Sequence, residues 1–489
     1  MGKLKTDCAD TRFSVENQIP EPIMEDTADR SGAPFGGGVD RRGFMKMLGA
    51  GAGAVALAAA VGGCGGGAKG AAVGKDAPLG KMTYRRNPRN GDLLSILSYG
   101  MMRLPRVPRA RKESLPDVND LDQDAVNELV DYAVARGVNY FDTSPVYCKG
   151  FSERATGIAL SRHPRDKYFI ATKMSNQRAR SRDESLAIYR KSFEELRVDY
   201  IDYYLLHSVS SRDNFKERYI DNGMLDFLVK ERDAGRIRNL GWSFHGEGDL
   251  FEYLMSEYKW DFTMIQVNYF DWRVAAGLNR SDMGARRQYE ILAEKDVPAV
   301  IMEPLLGGGL AMPHYKARAK MVQADPDASA ASWAFRFAGS LPNVITVLSG
   351  MTFMDHLQDN IRTYSPLVPL SDKDNAMLDE ITKVMLEYRN LTCTKCQYCM
   401  PCPYGLDIPE IFAHFNRSLN EGNFPDDKQD PDYKRARRAF LVGLDRSVSP
   451  IRQANRCTGC GLCVKDCPQR IDIPSQMQRI DKFIESMKV

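Results

Sequence analysis

Eight cysteines near the C-terminus constrain this chain more than any other feature. Cys393, Cys396, Cys399 and Cys402 are evenly spaced and end on Pro403; Cys457, Cys460, Cys463 and Cys467 follow 64 residues later and end on Pro468. Each Cys-x2-Cys-x2-Cys run wraps three thiolates around one loop, and the fourth cysteine lies too far along to join them easily. The two sets form an internal repeat. Cys402-Pro403-Tyr404-Gly405-Leu406-Asp407-Ile408-Pro409 parallels Cys467-Pro468-Gln469-Arg470-Ile471-Asp472-Ile473-Pro474, and each leads into a helical pattern. Asp407 and Asp472 stand where helix N-caps belong, with Pro409 and Pro474 in the first turn.

The pattern resembles a bacterial-type two-cluster ferredoxin, in which the cysteine before the proline ligates the other cluster. The resemblance implies Cys393, Cys396, Cys399 and Cys467 around one [4Fe–4S] cluster. It implies Cys457, Cys460, Cys463 and Cys402 around the other. One departure is that the first set spaces its last cysteine by two residues, not three. Two structural four-cysteine zinc sites are the alternative, but zinc needs neither a third cysteine at the same spacing nor a Cys-Pro ending.

The other bounds are ordinary. A chain of 489 residues suffices for more than one domain. Lys+Arg 67 against Asp+Glu 64 gives no basic surplus of the kind nucleic acid demands. Of eleven cysteines only Cys8, Cys64 and Cys148 lie outside the two sets, which is no disulfide framework.

Residues 1–64 read as a disordered, acidic start followed by an export signal. Asp40-Arg41-Arg42-Gly43-Phe44-Met45-Lys46 precedes the weakly apolar run Met47 to Gly63. This resembles a twin-arginine signal, and implies the twin-arginine machinery as a partner and an extracytoplasmic or periplasmic location. Val61-Gly62-Gly63-Cys64 resembles a lipoprotein cleavage site, with Cys64 as a lipid anchor; an ordinary signal end with an incidental cysteine is the alternative. Residues 65–80 read as a flexible linker.

From 81 to 370 strands and helices alternate. The predicted strands are Ile96–Tyr99, Val138–Asp142, Phe169–Thr172, Ile201–Leu206, Ile237–Gly241, Met264–Val267, Ala299–Met302 and Val344–Leu348. Val126, Leu129, Val130, Ala133 and Val134 recur at helical period between the first two. Eight such units predict an α/β fold, a TIM (β/α)8 barrel. A doubly wound sheet would want a Gly-x-Gly-x-x-Gly turn after the first strand, which is missing. Residues 371–489 then form a small, mostly helical two-cluster domain, reached through a helix from Asp372 to Tyr388. Between the cysteine sets, Lys434, Arg435, Arg437 and Arg438 form a basic cluster. It is either a solvated helix face or a docking patch for an acidic redox partner.

Asp142 and Tyr147 follow the second predicted strand, Lys173 the third and His207 the fourth. These types in this order resemble the tetrad of the aldo-keto reductases. Tyr140-Phe141-Asp142-Thr143-Ser144-Pro145-Val146-Tyr147, Ala171-Thr172-Lys173, Leu205-Leu206-His207, Gln266-Val267-Asn268-Tyr269 and Glu303-Pro304-Leu305 extend the match. The resemblance implies a small carbonyl or alcohol substrate. Tyr147 would be the acid/base, Lys173 would lower its pKa, Asp142 would hold Lys173, and neutral His207 would orient the carbonyl. Cys148 reads as a pocket wall rather than a redox group.

The cofactor positions only partly match. Ser243, Gln266, Gly350, Asp359 and Asn360 are retained as contacts for NAD(P)H. Phe244 replaces an expected Asn, Met302 an aromatic, and Met351-Thr352-Phe353 carries no cation for a 2′-phosphate. Nothing here favours NADPH. An exported enzyme would also lack a nicotinamide pool, so the expectation is that the clusters relay electrons at the barrel mouth. The rivals are a non-catalytic electron-transfer module with the barrel as scaffold, and a cytoplasmic NAD(P)H-dependent carbonyl reductase.

Overall fold

A computed structural model describes residues 81–107, 120–177, 179, 181–246, 248–274, 283–388, 390–425, 427–467 and 469–488. The twin-arginine motif, the linker and Cys64 lie outside them.

Eight parallel strands close a barrel. They are β3 (Leu97–Gly100), β4 (Tyr140–Asp142), β5 (Phe169–Met174), β6 (Ile201–Val209), β7 (Ile237–Phe244), β8 (Phe262–Gln266), β9 (Ala299–Met302) and β10 (Val344–Ser349), with β10 paired back onto β3. An antiparallel hairpin precedes them, β1 (Tyr84–Arg86) and β2 (Leu93–Ser95), and its short strands were not foreseen. The hairpin has a purpose. Its Leu94 is fully buried with Tyr140, Tyr203, Phe262 and Ile345 in the barrel interior, plugging the end where those strands begin. The opposite end is left for chemistry.

A larger apolar layer lies between the strands and the outer helices, including α1 (Gln123–Ala135), α2 (Ser152–Leu160) and α3 (Arg182–Leu196). Val126, Leu129, Val130 and Ala133 are the buried face of α1, and Asp122 caps it by accepting from the Ala125 N–H. Helix α4 (Asp372–Glu387), begun by a Ser371/Asp374 capping box, belongs to this layer too: Leu378, Ile381 and Met385 are buried in the barrel's core. Burial of each such side chain contributes about 2 kcal/mol. The barrel's packing therefore runs past residue 370, to the end of α4.

The C-terminal region has its own core. Helices α5 (Ile408–Asn420), α6 (Tyr433–Ser447) and α7 (Ile473–Lys488) bury Ile411, Phe412, Phe440, Leu444, Met477 and Ile480 together. Helices α5 and α7 both start just after a Cys-Pro segment, with Pro409 in the first turn of α5. Asp472 accepts from the Ser475 N–H. Asp407 does not cap its helix as expected, because its carboxylate faces Arg452 at 3.6 Å. Helix α6 runs back toward the cysteine loops. Arg437 donates to the Met487 carbonyl at the end of α7, while the Arg452 carbonyl, beyond α6, accepts from the Asp407 N–H. Lys434–Arg438 thus sits at the far end of the helices, roughly 18 Å of α6 away from the cysteines.

Candidate active site

The parallel register brings three strand ends to one point. Asp142 ends β4, and β5 pairs Asp142 with Ala171, so that Lys173 points into the same mouth; β6 then carries His207. Lys173 and Asp142 are both buried and meet at 2.5 Å, and Lys173 Nζ also donates to the Thr143 carbonyl at 2.8 Å. Burial lowers the Lys173 pKa and raises that of Asp142, while their mutual attraction opposes both shifts.

Tyr147 stands on a tight turn after β4 in which Cys148 and Lys149 adopt left-handed backbone, at φ 50° and 59°. Two consecutive non-glycine residues in that region store strain, which fixes the ring's position. Lys173 Nζ lies 4.9 Å from the centre of the Tyr147 ring, and the ring meets His207 edge-on at 5.8 Å. The expected acidification of the phenol by Lys173 is not what this geometry produces. Burial, then Tyr398, Asp142 and Glu303, push the Tyr147 pKa up, and the Lys173 ammonium bonds Asp142 and Thr143 instead. Cys148 is buried with its Sγ 3.4 Å from the Met102 carbonyl, and burial raises its pKa too, which suits a wall residue.

His207 Nδ1 lies 2.5 Å from Ser175 Oγ and 3.3 Å from Ser144 Oγ, which leaves Nε2 as the ring nitrogen with no hydrogen-bond partner among the described residues. Burial, then Lys173, Arg218 and His245, push its pKa well down, so the ring is neutral. Arg218 is itself buried and donates to the His207 carbonyl at 2.7 Å, tying the end of β6 in place. A second histidine, His245, follows β7, and burial lowers it to about 4.

Tyr147 opens on a cavity of about 2160 Å³ shared by the barrel mouth and the cysteine loops, while Asp142, Lys173 and His207 stand behind its lining. Tyr147, Ser175, Arg218 and His245 line it from the barrel; Cys396, Tyr398 and Cys467 line it from the other side. Sequence reasoning missed Tyr398 and His245, since neither belongs to a recurrent motif.

The cysteines fall into two groups. Burial pushes Cys393 up to about 11, with Cys396 and Cys467 adding to it; Cys399 feels Cys396, Cys393 and Cys467, and then Cys463 of the second set. Cys463 feels Cys402, Cys457 and Cys460. All eight are free thiols. Among the described residues no three His, Cys, Asp or Glu converge to hold a single ion. Eight thiols on two Cys-x2-Cys-x2-Cys loops are the donor chemistry that two [4Fe–4S] cubanes would take.

Residues 97–383 match the aldo/keto reductase family, more than half of the chain. The chain belongs to that family. Residues 392–472 match the 4Fe-4S dicluster domain, so this family member carries an iron–sulfur domain behind its barrel. It is similar to the uncharacterised oxidoreductase YqkF of Bacillus subtilis, 26% identical over 256 residues, 48% of this chain and 80% of that one. It is also similar to the L-galactose dehydrogenase of Arabidopsis thaliana, 26% identical over 298 residues, 55% of this chain and 87% of that one. Among solved structures it is similar to an aldo-keto reductase of Bacillus halodurans in its holo form, at 20% identity and TM-score 0.49, covering 61% of this chain and 96% of that one. The protein is an oxidoreductase of the aldo/keto reductase type.

The family implies a nicotinamide dinucleotide, and the residues for it are differently employed here. None of Ser243, Gln266, Gly350, Asp359 and Asn360 lines the cavity that holds Tyr147. Ser243 Oγ accepts from the Ser208 N–H at 2.8 Å, Asn360 donates to Ser349 Oγ at 2.9 Å, and Asp359 accepts from Ser329 at 2.6 Å. The Arg103 side chain lies over Gly350, and its guanidinium donates to the Thr394 carbonyl. Gly307, in the turn after β9, touches the same residue so closely that a Cβ there would lie 2.4 Å from Thr394 Cα. Ser243, Asp359 and Asn360 thus spend these atoms on neighbours within the barrel. Trp272, Arg273 and Arg286 also stay outside the cavity; Trp272 packs on Tyr289 and Phe337, Arg273 pairs with Asp379 and Arg286 with Glu290.

Proposed function

We propose that this protein interconverts a carbonyl and an alcohol with electrons carried by two [4Fe–4S] clusters rather than by a nicotinamide. One observation carries the reading: Tyr147 and the cysteine-loop residues Cys396, Tyr398 and Cys467 line one cavity. Each cluster, when held by its four thiolates, supplies or accepts one electron at a time. Reduction of a carbonyl takes two electrons and two protons, one proton to oxygen and one to carbon. Tyr147 delivers the proton to oxygen, and neutral His207 donates from Nε2 to the same oxygen and orients it. Tyr398 is the other phenol on the cavity wall and the donor for carbon. Asp142, Lys173 and Arg218 hold the two proton-handling rings in register. Substrate enters through the broad mouth, which suits a bulky polar molecule better than a small aldehyde.

The twin-arginine motif at Arg41-Arg42 and the cysteine at Cys64 support export, with lipid anchoring at Cys64, and cell fractionation tests both. The chemistry is tested on cluster-loaded protein reduced with dithionite and challenged with a panel of carbonyl compounds. A substrate should restore the visible absorption of the oxidised clusters. Tyr147→Phe should slow that return by roughly 10²–10⁴-fold with the cluster spectrum unchanged. Turnover driven by NADPH with the clusters untouched would establish the conventional family reaction instead.

A further inference from the structure

The two cysteine groups are unequally placed. Cys396 and Cys467, of the first group, line the active-site cavity, and none of Cys402, Cys457, Cys460 and Cys463 does. Cys460 is the one exposed thiol of the eight. Around it the surface is unusually apolar for a solvated loop. Tyr404 is 50% exposed, Leu462 52% and Ile451 69%, and none of the three lines the cavity. They surround one group: Tyr404 follows Cys402, Leu462 lies between Cys460 and Cys463, and Ile451 is brought alongside by Arg452, which donates to the Gly405 carbonyl at 3.1 Å. The stretch from residue 445 to 470 holds five Lys or Arg against two Asp; Arg452, Lys465 and Arg470 line the cavity, which leaves the exposed Arg446 and Arg456 for this face. Among them Arg456 is exposed and pairs with nothing among the described residues.

We infer that electrons pass between this protein and its redox partner at the Cys460 face, and that this face docks a small acidic one-electron carrier protein. An apolar centre excludes water at the contact, and a basic rim steers an acidic partner and sets the on-rate. The transfer is a single electron, from the carrier to the group of Cys402, Cys457, Cys460 and Cys463, then to the group on the cavity; the carrier is oxidised as the protein is reduced. Lys434–Arg438 is the obvious basic patch in the sequence, but it lies at the wrong end of α6 for this transfer. The inference rests on the two-cluster reading.

The test uses full-length, cluster-loaded protein with two reductants, a flavodoxin hydroquinone as the acidic carrier and reduced methyl viologen as a small donor that needs no docking. Stopped-flow bleaching gives the rates, and titration calorimetry with oxidised flavodoxin gives the affinity. Ile451→Asp combined with Arg456→Glu should lower both the flavodoxin rate and the affinity at least tenfold, while viologen bleaching stays unchanged. Lys434→Glu with Arg435→Glu and Arg438→Glu should alter them less than twofold. Equal flavodoxin rates in the wild type and the first variant, or a larger effect from the second, would overturn the docking face alone. Failure of viologen to bleach the wild type would overturn the two-cluster reading with it. Self-association that the first variant abolishes, seen in sedimentation, would assign the face to a second copy of the chain and overturn the carrier.

Discussion

Glu153 shows how one buried charge is managed beside the site. It lies on α2 with 3% of its surface exposed and accepts from Thr172 Oγ1 at 2.5 Å. Burial raises its pKa from 4.5 to about 7. The fold therefore favours the protonated form. Its contribution to stability is fully present below about 4.5 and is lost as pH rises through about 7, a difference of ~3 kcal/mol. Glu153→Gln keeps an acceptor for Thr172 and removes the titration. Urea midpoints at pH 5 and pH 8 should fall more for the wild type than for this variant; equal pH dependence would refute the buried-acid account. At this scale the tetrad was legible because its members follow strands whose apolar runs are plain in the sequence. The electrostatics were not. Lys173 was expected to acidify Tyr147, but whether an ammonium faces a phenol or a carboxylate depends on distances of a few ångströms that residue order does not carry.

Gly307 decides how the cysteine loop seats on the barrel. Its φ of +66° favours glycine, and its missing Cβ makes room for Thr394. Gly307→Ala should destabilise the protein by about 1–3 kcal/mol and loosen the loop that carries Cys393 and Cys396. The readouts are a lowered urea midpoint and faster loss of cluster absorption to an iron chelator. Unchanged cluster retention would show that the loop is held from elsewhere. Most strands were legible as short apolar runs, and their observed ends differ by a few residues. The hairpin of β1 and β2 was not, because three-residue strands show no alternation to read. Asp407 occupies an N-cap position, as its spacing suggested, yet Arg452 claims its carboxylate, a contact set by a segment 45 residues away.

For the whole molecule, the barrel mouth and the iron–sulfur domain share one cavity, and this bears on the electron source. Full-length protein should show no saturable binding of NADPH by equilibrium dialysis, and NADPH should not bleach the clusters anaerobically, while dithionite should. Binding of one equivalent of NADPH would mean that the Thr394–Tyr398 segment moves aside. The sequence alone determined the two domain types, the repeat of the cysteine sets, and the placing of Asp142, Tyr147, Lys173 and His207 after successive strands. Each of these is written in local patterns: period, spacing and residue type at a strand end. Only the tertiary structure decided which cysteines face the active site, where the basic cluster lies, and that Arg103 and Thr394 occupy the ground beside Gly350. Those are contacts between segments some 40 to 290 residues apart, and local periodicity carries no information about which distant surfaces pack together.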